Sequence, residues 1–167
     1  AARAAQFPKT GFIGAEPFIN GVASLCRHIA ENDLNNVRIW PDDIRLLLPL
    51  LAKHSLQAVY ILFPDPWPKK RHHKRRLIKP AFIKILADKL KCGGEVHIAT
   101  DYESYAIEIL DFFEKECLLS NKNGAGEFLF QKEGIPKTKY EKNYNPVSCV
   151  CTISKFRSKY SNDLSQW

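Results

Sequence analysis

Along this chain, short apolar runs alternate with longer stretches in which apolar residues recur every three or four positions. Residues 1–6 are strong helix formers with no cap before them, so they read as the end of a helix stopped near Phe7-Pro8. Gly11-Phe12-Ile13-Gly14-Ala15 predicts a short strand ending at Glu16. Pro17 suits a first helical turn, and Phe18, Val22, Leu25, Cys26 and Ile29 then share one face until Asn32-Asp33 and Asn35-Asn36 break the pattern. A second strand is expected at 37–40, followed by Pro41-Asp42-Asp43 and a leucine-rich helix over 44–53. The third, 58–63, contains Val59-Tyr60-Ile61-Leu62-Phe63 and reads as a strand buried on both faces. Pro80 opens a helix with Phe82, Leu86 and Leu90 on one side, closed by Gly93-Gly94. Val96-His97-Ile98-Ala99 predicts a fourth strand. Thr100-x-x-Glu103 has capping-box spacing before a helix lined by Ala106, Ile109, Leu110, Phe113 and Cys117. A polar stretch, 120–126, precedes two last strands near 127–131 and 147–154.

Strands alternating with helices in this way specify an α/β fold, a doubly wound and mostly parallel sheet with right-handed crossovers. A closing pair of strands with no helix between them adds an antiparallel edge. A chain of 167 residues is long enough for one domain with a real core, and its 45% hydrophobic and 26% charged residues are those of an ordinary globular protein. No apolar run reaches the roughly 18 residues of a membrane span, and no signal peptide opens the chain, so a cytoplasmic location is expected. The five cysteines form no Cys-x-x-Cys pair, and His72-His73 lack ligand spacing, which argues for reduced thiols and against a metal. The chain contains no methionine and opens inside a helix, so it is expected to be part of a longer protein.

Charge changes the picture. Of the formal net charge of +7, residues 69–76 supply six, leaving the remainder almost neutral. That is a localised docking surface for a polyanion. Immediately before it, the third strand runs into Phe63-Pro64-Asp65-Pro66-Trp67-Pro68. Three prolines forbid helix and central-strand geometry, so Asp65 and Trp67 are expected on a stiff loop. Ligands of open α/β sheets bind just beyond the carboxyl ends of the strands, where this loop belongs. Glu16, at another strand end, suits ribose hydroxyls, or is a surface acid at a helix N-terminus. Asp42 and Asp43 suit an adenine amino group, or one of them caps the next helix. Asp101, in Ala99-Thr100-Asp101, is a site residue or a cap, and Trp67 stacks on a base or plugs the loop.

The run Phe63-Pro-Asp-Pro-Trp-Pro-Lys-Lys-Arg-His-His-Lys-Arg-Arg76 closely resembles the signature of the bacterial tRNA (guanine-N7)-methyltransferases. The resemblance extends over roughly residues 11–141 and includes 99–101 and 138–141. It implies a class I methyltransferase fold, S-adenosylmethionine as cofactor, tRNA as partner, and methyl transfer to guanine N7. It places a cofactor-binding acid at Glu16, inside Phe12-Ile13-Gly14-x-Glu16, and another at Asp43 or its neighbour Asp42, where relatives have Asp-Ala and this chain has Asp-Asp-Ile. It makes Asp65 the catalytic acid, in reach of cofactor and guanine. Lys69, Asp101 and Thr138-Lys139-Tyr140-Glu141, the last resembling the family's Thr-Lys-Phe-Glu, become substrate-binding residues. Lys70, Arg71, Lys74, Arg75 and Arg76 are assigned to RNA phosphates. After Glu141 the segment Asn143-Tyr144-Asn145-Pro146 departs from the family's Gly- and Arg-containing pattern, and no contacts are carried over. In the family the first strand here would be the second of the sheet, with the glycine-rich cofactor loop upstream of Ala1. The fragment alone is therefore expected to be unstable. A non-catalytic RNA-binding subunit with the same fold is the rival reading, and monomer or homodimer is left open.

Overall fold

The first two apolar runs pair with each other in the computed structural model, which describes residues 1–127 and 149–155. The chain divides into two compact units, Ala1–Leu51 and Ala52–Trp167. In the first, α1 (Ala2–Gln6) leads to β1 (Phe12–Ala15), which lies parallel to β2 (Val37–Trp40) in the register Phe12↔Val37 to Ala15↔Trp40. The crossover between them is α2 (Ile19–Glu31). Gly14 lets Leu25 of that helix approach: a Cβ there would lie 2.6 Å from Leu25 Cδ2. The side-chain amide of Asn36 is shared among the carbonyls of Ala4, Phe7 and Thr10, at 3.0, 3.1 and 2.9 Å. It thereby ties the end of α1 and the turn after it to the start of β2.

The leucine-rich helix is shorter than its pattern suggests. It is α-helical only over α3 (Ile44–Leu47), then tightens into a 3₁₀ turn, Leu48–Leu50. The cause is Pro49, which has no N–H for the bond back to Arg45.

In the second unit, β3 (Leu56–Leu62), β4 (Leu90–Thr100), β6 (Cys149–Lys155) and β5 (Leu119–Asn121) form a sheet in that spatial order. β3 and β4 are parallel, connected through α4 (Pro80–Lys89), while β6 runs antiparallel to both β4 and β5. The α/β class, the parallel strands and the antiparallel addition thus agree with the sequence pattern. The expected strand at 127–131 falls almost wholly outside the described residues, and β5 forms instead within and just before the stretch read as polar connection. β3 is not buried on both faces: Ile61 is buried, but Gln57 and Ala58 are exposed and Val59 and Tyr60 only half-covered. It is an edge strand of this sheet.

Residues of β4 alternate as a one-sided strand should, Val96 and Ile98 buried, Glu95 and His97 half-buried. The buried side packs with Ile153 of β6 and with α5 (Glu103–Glu114), which brings Tyr105, Ile109 and Phe113, each at most 1% exposed. Ile83 and Leu86 of α4 complete this core. Each such side chain contributes about 1.5–3 kcal/mol by leaving water.

Two further expectations change. Gly93-Gly94 does not end α4; the helix stops at Lys89, and the glycines sit inside β4, where the register against β3 slips between Leu56 and Ala58. A Cβ on Gly94 would meet Leu56 O and Gln57 O at 3.1 and 3.2 Å, so only glycine allows this close passage. The end of α4 is held by Lys155, whose Nζ donates to Ala87 O at 2.6 Å and Leu90 O at 2.9 Å. Burial lowers the pKa of this ammonium. Nor does the capping box form. Thr100 is buried as the last residue of β4, its hydroxyl accepting from Tyr102 N, and α5 has no side-chain cap. Cys117 lies beyond α5 and is exposed. Among the described residues, no helix is long and apolar enough to cross a membrane, and no three His, Cys, Asp or Glu side chains group as metal ligands.

Candidate active site

In the first unit, the carboxyl ends of β1 and β2 lie side by side. Glu16, directly after β1, donates its backbone N–H to Trp40 O at 3.0 Å, and its Oε1 accepts from Phe18 N at 3.0 Å. Its side chain lies against Gly21 of α2: a Cβ at that glycine would come within 2.5–2.7 Å of the Glu16 carboxylate end. Asp43 is the N-cap of α3, accepting from Arg45 N at 2.9 Å and from Arg45 Nε at 2.8 Å. The hydrogen bonds from the Arg45 side chain hold the Asp43 carboxyl below the usual carboxylate range, in spite of some burial. Asp43 is therefore the cap that the sequence allowed. Asp42 is exposed, and beyond accepting from Asp43 N at 2.6 Å it has no partner among the described residues. Of the two, Asp42 keeps the freer carboxylate.

In the second unit, β3 and β4 also end together, with Leu62 opposite Ala99 and Phe63 N donating to Ala99 O at 2.7 Å. The loop after β3 is strained. Phe63 and Trp67 have φ of +54° and +44°, in the left-handed region that bulky L-residues avoid. Between them, Pro64 and Pro66 leave the backbone few ways to turn. Asp65 is exposed at the middle of this elbow and has no hydrogen-bond partner among the described residues. Asp101, two residues beyond Ala99, is likewise exposed and unpartnered there, and it does not cap α5. Two solvent-facing carboxylates thus leave the carboxyl ends of neighbouring parallel strands.

Lys69 caps a 3₁₀ segment, Lys70–Arg75, that presents the charge run. Lys69, Lys70, Arg71, Lys74 and Arg75 are all exposed. The Arg75 guanidinium lies 4.9 Å from the centroid of the Trp67 ring, and His72 meets that ring edge-on at 5.9 Å. Trp67 is half-buried and has a cation on one face.

Arg76 departs from its assignment. Its side chain is 2% exposed and forms a close ion pair with Glu108 of α5. Its Nε donates to Pro66 O at 2.8 Å, its terminal nitrogen lies 3.1 Å from His73 Nε2, and its guanidinium sits 4.6 Å over the Tyr105 ring. A guanidinium so enclosed does not reach RNA phosphates. Glu108, Tyr105 and Gly21 were not singled out from sequence; the one trace was that Arg76 stands where the charge run gives way to the apolar pair Leu77-Ile78. Thr138, Lys139, Tyr140 and Glu141 lie outside the described residues.

Comparisons with known proteins identify the family. Residues 1–148 match the family model described as "Putative methyltransferase". A tRNA (guanine-N(7)-)-methyltransferase of Hyphomonas neptunium is 51% identical over 109 residues, which are 65% of this chain and 50% of that one. Another, of Methylobacillus flagellatus, is 46% identical over 135 residues, 80% of this chain and 56% of that one. The chain spans about half the length of these curated relatives. Among solved structures, a precorrin-6y C5,15-methyltransferase of Geobacter metallireducens has a TM-score of 0.60 at 12% identity, covering 89% of this chain and 70% of that one. That likeness is one of fold. With a family model matched over residues 1–148, the chain belongs to this methyltransferase family.

Proposed function

We propose that the protein transfers a methyl group from S-adenosylmethionine to N7 of a guanine in tRNA. The observation that carries this reading is Asp65: an exposed carboxylate, unpartnered among the described residues, on a stiff, strained elbow, followed at once by five exposed cations. The tRNA (guanine-N(7)-)-methyltransferases of Hyphomonas and Methylobacillus support the choice of reaction.

The donor set fits the cofactor. A nucleoside offers ribose hydroxyls and an adenine amino group, all donors, and the ends of β1 and β2 offer the acceptors Glu16 and Asp42. Gly21 lets the Glu16 side chain lie close against α2, in space that a Cβ there would take. When bound, S-adenosylmethionine supplies an electrophilic methyl on a sulfonium. Guanine N7 already carries the lone pair that forms the new bond, so no residue has to remove a proton from it. What the protein contributes is orientation, which accounts for about 7–11 kcal/mol in well-aligned reactions. Asp65 accepts from the guanine N–H groups and offsets the positive charge that develops on the purine. Asp101 is a second acceptor from the neighbouring strand end. Lys69 holds the substrate next to the elbow, and Lys70, Arg71, Lys74 and Arg75 grip phosphates. Thr138, Lys139, Tyr140 and Glu141 complete the guanine site on this reading.

The test is direct. Intact protein, tRNA and methyl-labelled S-adenosylmethionine should give label that co-elutes with 7-methylguanosine after nuclease digestion. Tight tRNA binding with no label transferred would point instead to a non-catalytic RNA-binding subunit.

A further inference from the structure

We propose that buried Arg76 and Tyr105, together with the half-buried Glu108, form a staple that positions the Asp65 elbow. This proposal rests on the reading of Asp65 given above. The elbow cannot tie itself down: Pro64, Pro66 and Pro68 have no N–H, and its two bulky left-handed residues, Phe63 and Trp67, strain the backbone. Phe63 is anchored by its N–H to Ala99 O. The other anchor is Pro66 O, the carbonyl between Asp65 and Trp67, and it is held from outside by Arg76 Nε at 2.8 Å.

The arginine is fixed in turn. Glu108 neutralises it, and the Tyr105 ring lies beneath it at 4.6 Å. Tyr105 is fully buried, and its hydroxyl accepts from Ile78 N at 3.1 Å, which fastens the chain just beyond Arg76. Tyr105 and Glu108 are three residues apart on α5 and so share a face. Stability alone does not call for a charge here, because an ion pair that takes a guanidinium out of water is often no better for stability than well-packed hydrocarbon. An apolar pair could not hold the Pro66 carbonyl. The charge is therefore placed to define a loop conformation, and α5 becomes a support for the reaction without touching substrate.

The experiment uses the intact protein with Arg76→Lys and Glu108→Gln. Three quantities are read: single-turnover methyl transfer at saturating tRNA and S-adenosylmethionine, tRNA affinity with its salt slope, and amide hydrogen exchange of the 63–72 segment. The staple predicts transfer slowed roughly tenfold in each variant, tRNA Kd within about twofold, and exchange in that segment at least about tenfold faster with α4 and β4 unchanged. In an Asp65→Asn background, Glu108→Gln should slow transfer little further, since the staple acts through that carboxylate; a merely structural defect would add its effect. Unchanged rate and exchange overturn the proposal. So does an Arg76→Lys variant that loses tRNA affinity and salt slope while keeping its rate, which would make Arg76 a phosphate contact. Failure of both variants to fold would make the cluster part of the core, and would also overturn it. If the wild-type protein transfers no methyl to tRNA, the functional reading fails, while the exchange comparison still decides whether the staple holds the loop.

Discussion

Replacing Lys70, Arg71 and Lys74 together by glutamine gives the sharpest test of the basic segment. All three are exposed; the only contact any of these side chains makes among the described residues is Arg71 Nε to His72 Nε2 at 3.3 Å. Each is therefore available to a phosphate. A neutralised phosphate contributes about 0.7–0.9 to the slope of log K against log salt. At about 0.15 M salt, measured from a 1 M reference, that corresponds to about 0.8–1.0 kcal/mol for each contact. Three contacts give about 2.4–3.0 kcal/mol, a weakening of roughly 60- to 150-fold, and the slope should fall by about 2.1–2.7. Fluorescence anisotropy with labelled tRNA across a salt titration measures both. A slope reduced by less than about 0.5 would mean that the segment is a solvated surface with no phosphate on it.

Three other outcomes follow from particular contacts. Asp43→Ala removes the α3 cap and should cost about 0.5–2 kcal/mol in urea denaturation. Because the folded pKa of Asp43 lies below its unfolded value of about 3.9, its contribution is present above that value and lost as pH falls through the folded pKa, so the wild-type advantage should vanish in strong acid. An advantage persisting there would contradict the assignment. Gly21→Ala would ordinarily favour a helix by about 0.5–1 kcal/mol, yet its Cβ must displace the Glu16 side chain. Melting should hold while calorimetric affinity for S-adenosylhomocysteine drops roughly tenfold, and unchanged affinity would remove Glu16 from the cofactor site. Lys155→Met removes the side-chain donor of Ala87 O and leaves Leu90 O only its His54 Nδ1 contact at 3.2 Å, and should destabilise by about 1–3 kcal/mol by chemical denaturation. A neutral result would mean that Ala87 O finds another partner and that His54 suffices for Leu90 O.

Much of the fold was legible because its signals are local. Runs such as 37–40 and 96–99 became β2 and part of β4, and the spacing of Ala106, Ile109, Leu110 and Phe113 marked the buried face of α5. The errors share a cause: they concern where backbone groups find partners. Pro49 cut the leucine helix by removing one donor, and Gly94 served a close backbone passage where two glycines suggested a helix stop. The exposure of β3 depended on its place at the sheet edge, which its apolar composition does not reveal. At the site, prolines and the end of an apolar run were enough to put Asp65 on an exposed loop. They could not show which member of the cationic run turns inward. Arg76 looks like its neighbours in sequence and differs only because Glu108, thirty-two residues later, comes to meet it.

The central claim is that the Asp65 carboxylate orients guanine for attack by N7, and single-turnover kinetics of Asp65→Ala in the intact protein address it most directly. With tRNA and S-adenosylmethionine saturating, the account predicts an unchanged melting curve and transfer to guanine N7 slowed at least about a hundredfold, equivalent to about 2.7 kcal/mol of transition-state stabilisation. A folded Asp65→Ala protein that methylates guanine N7 at the wild-type rate would contradict it.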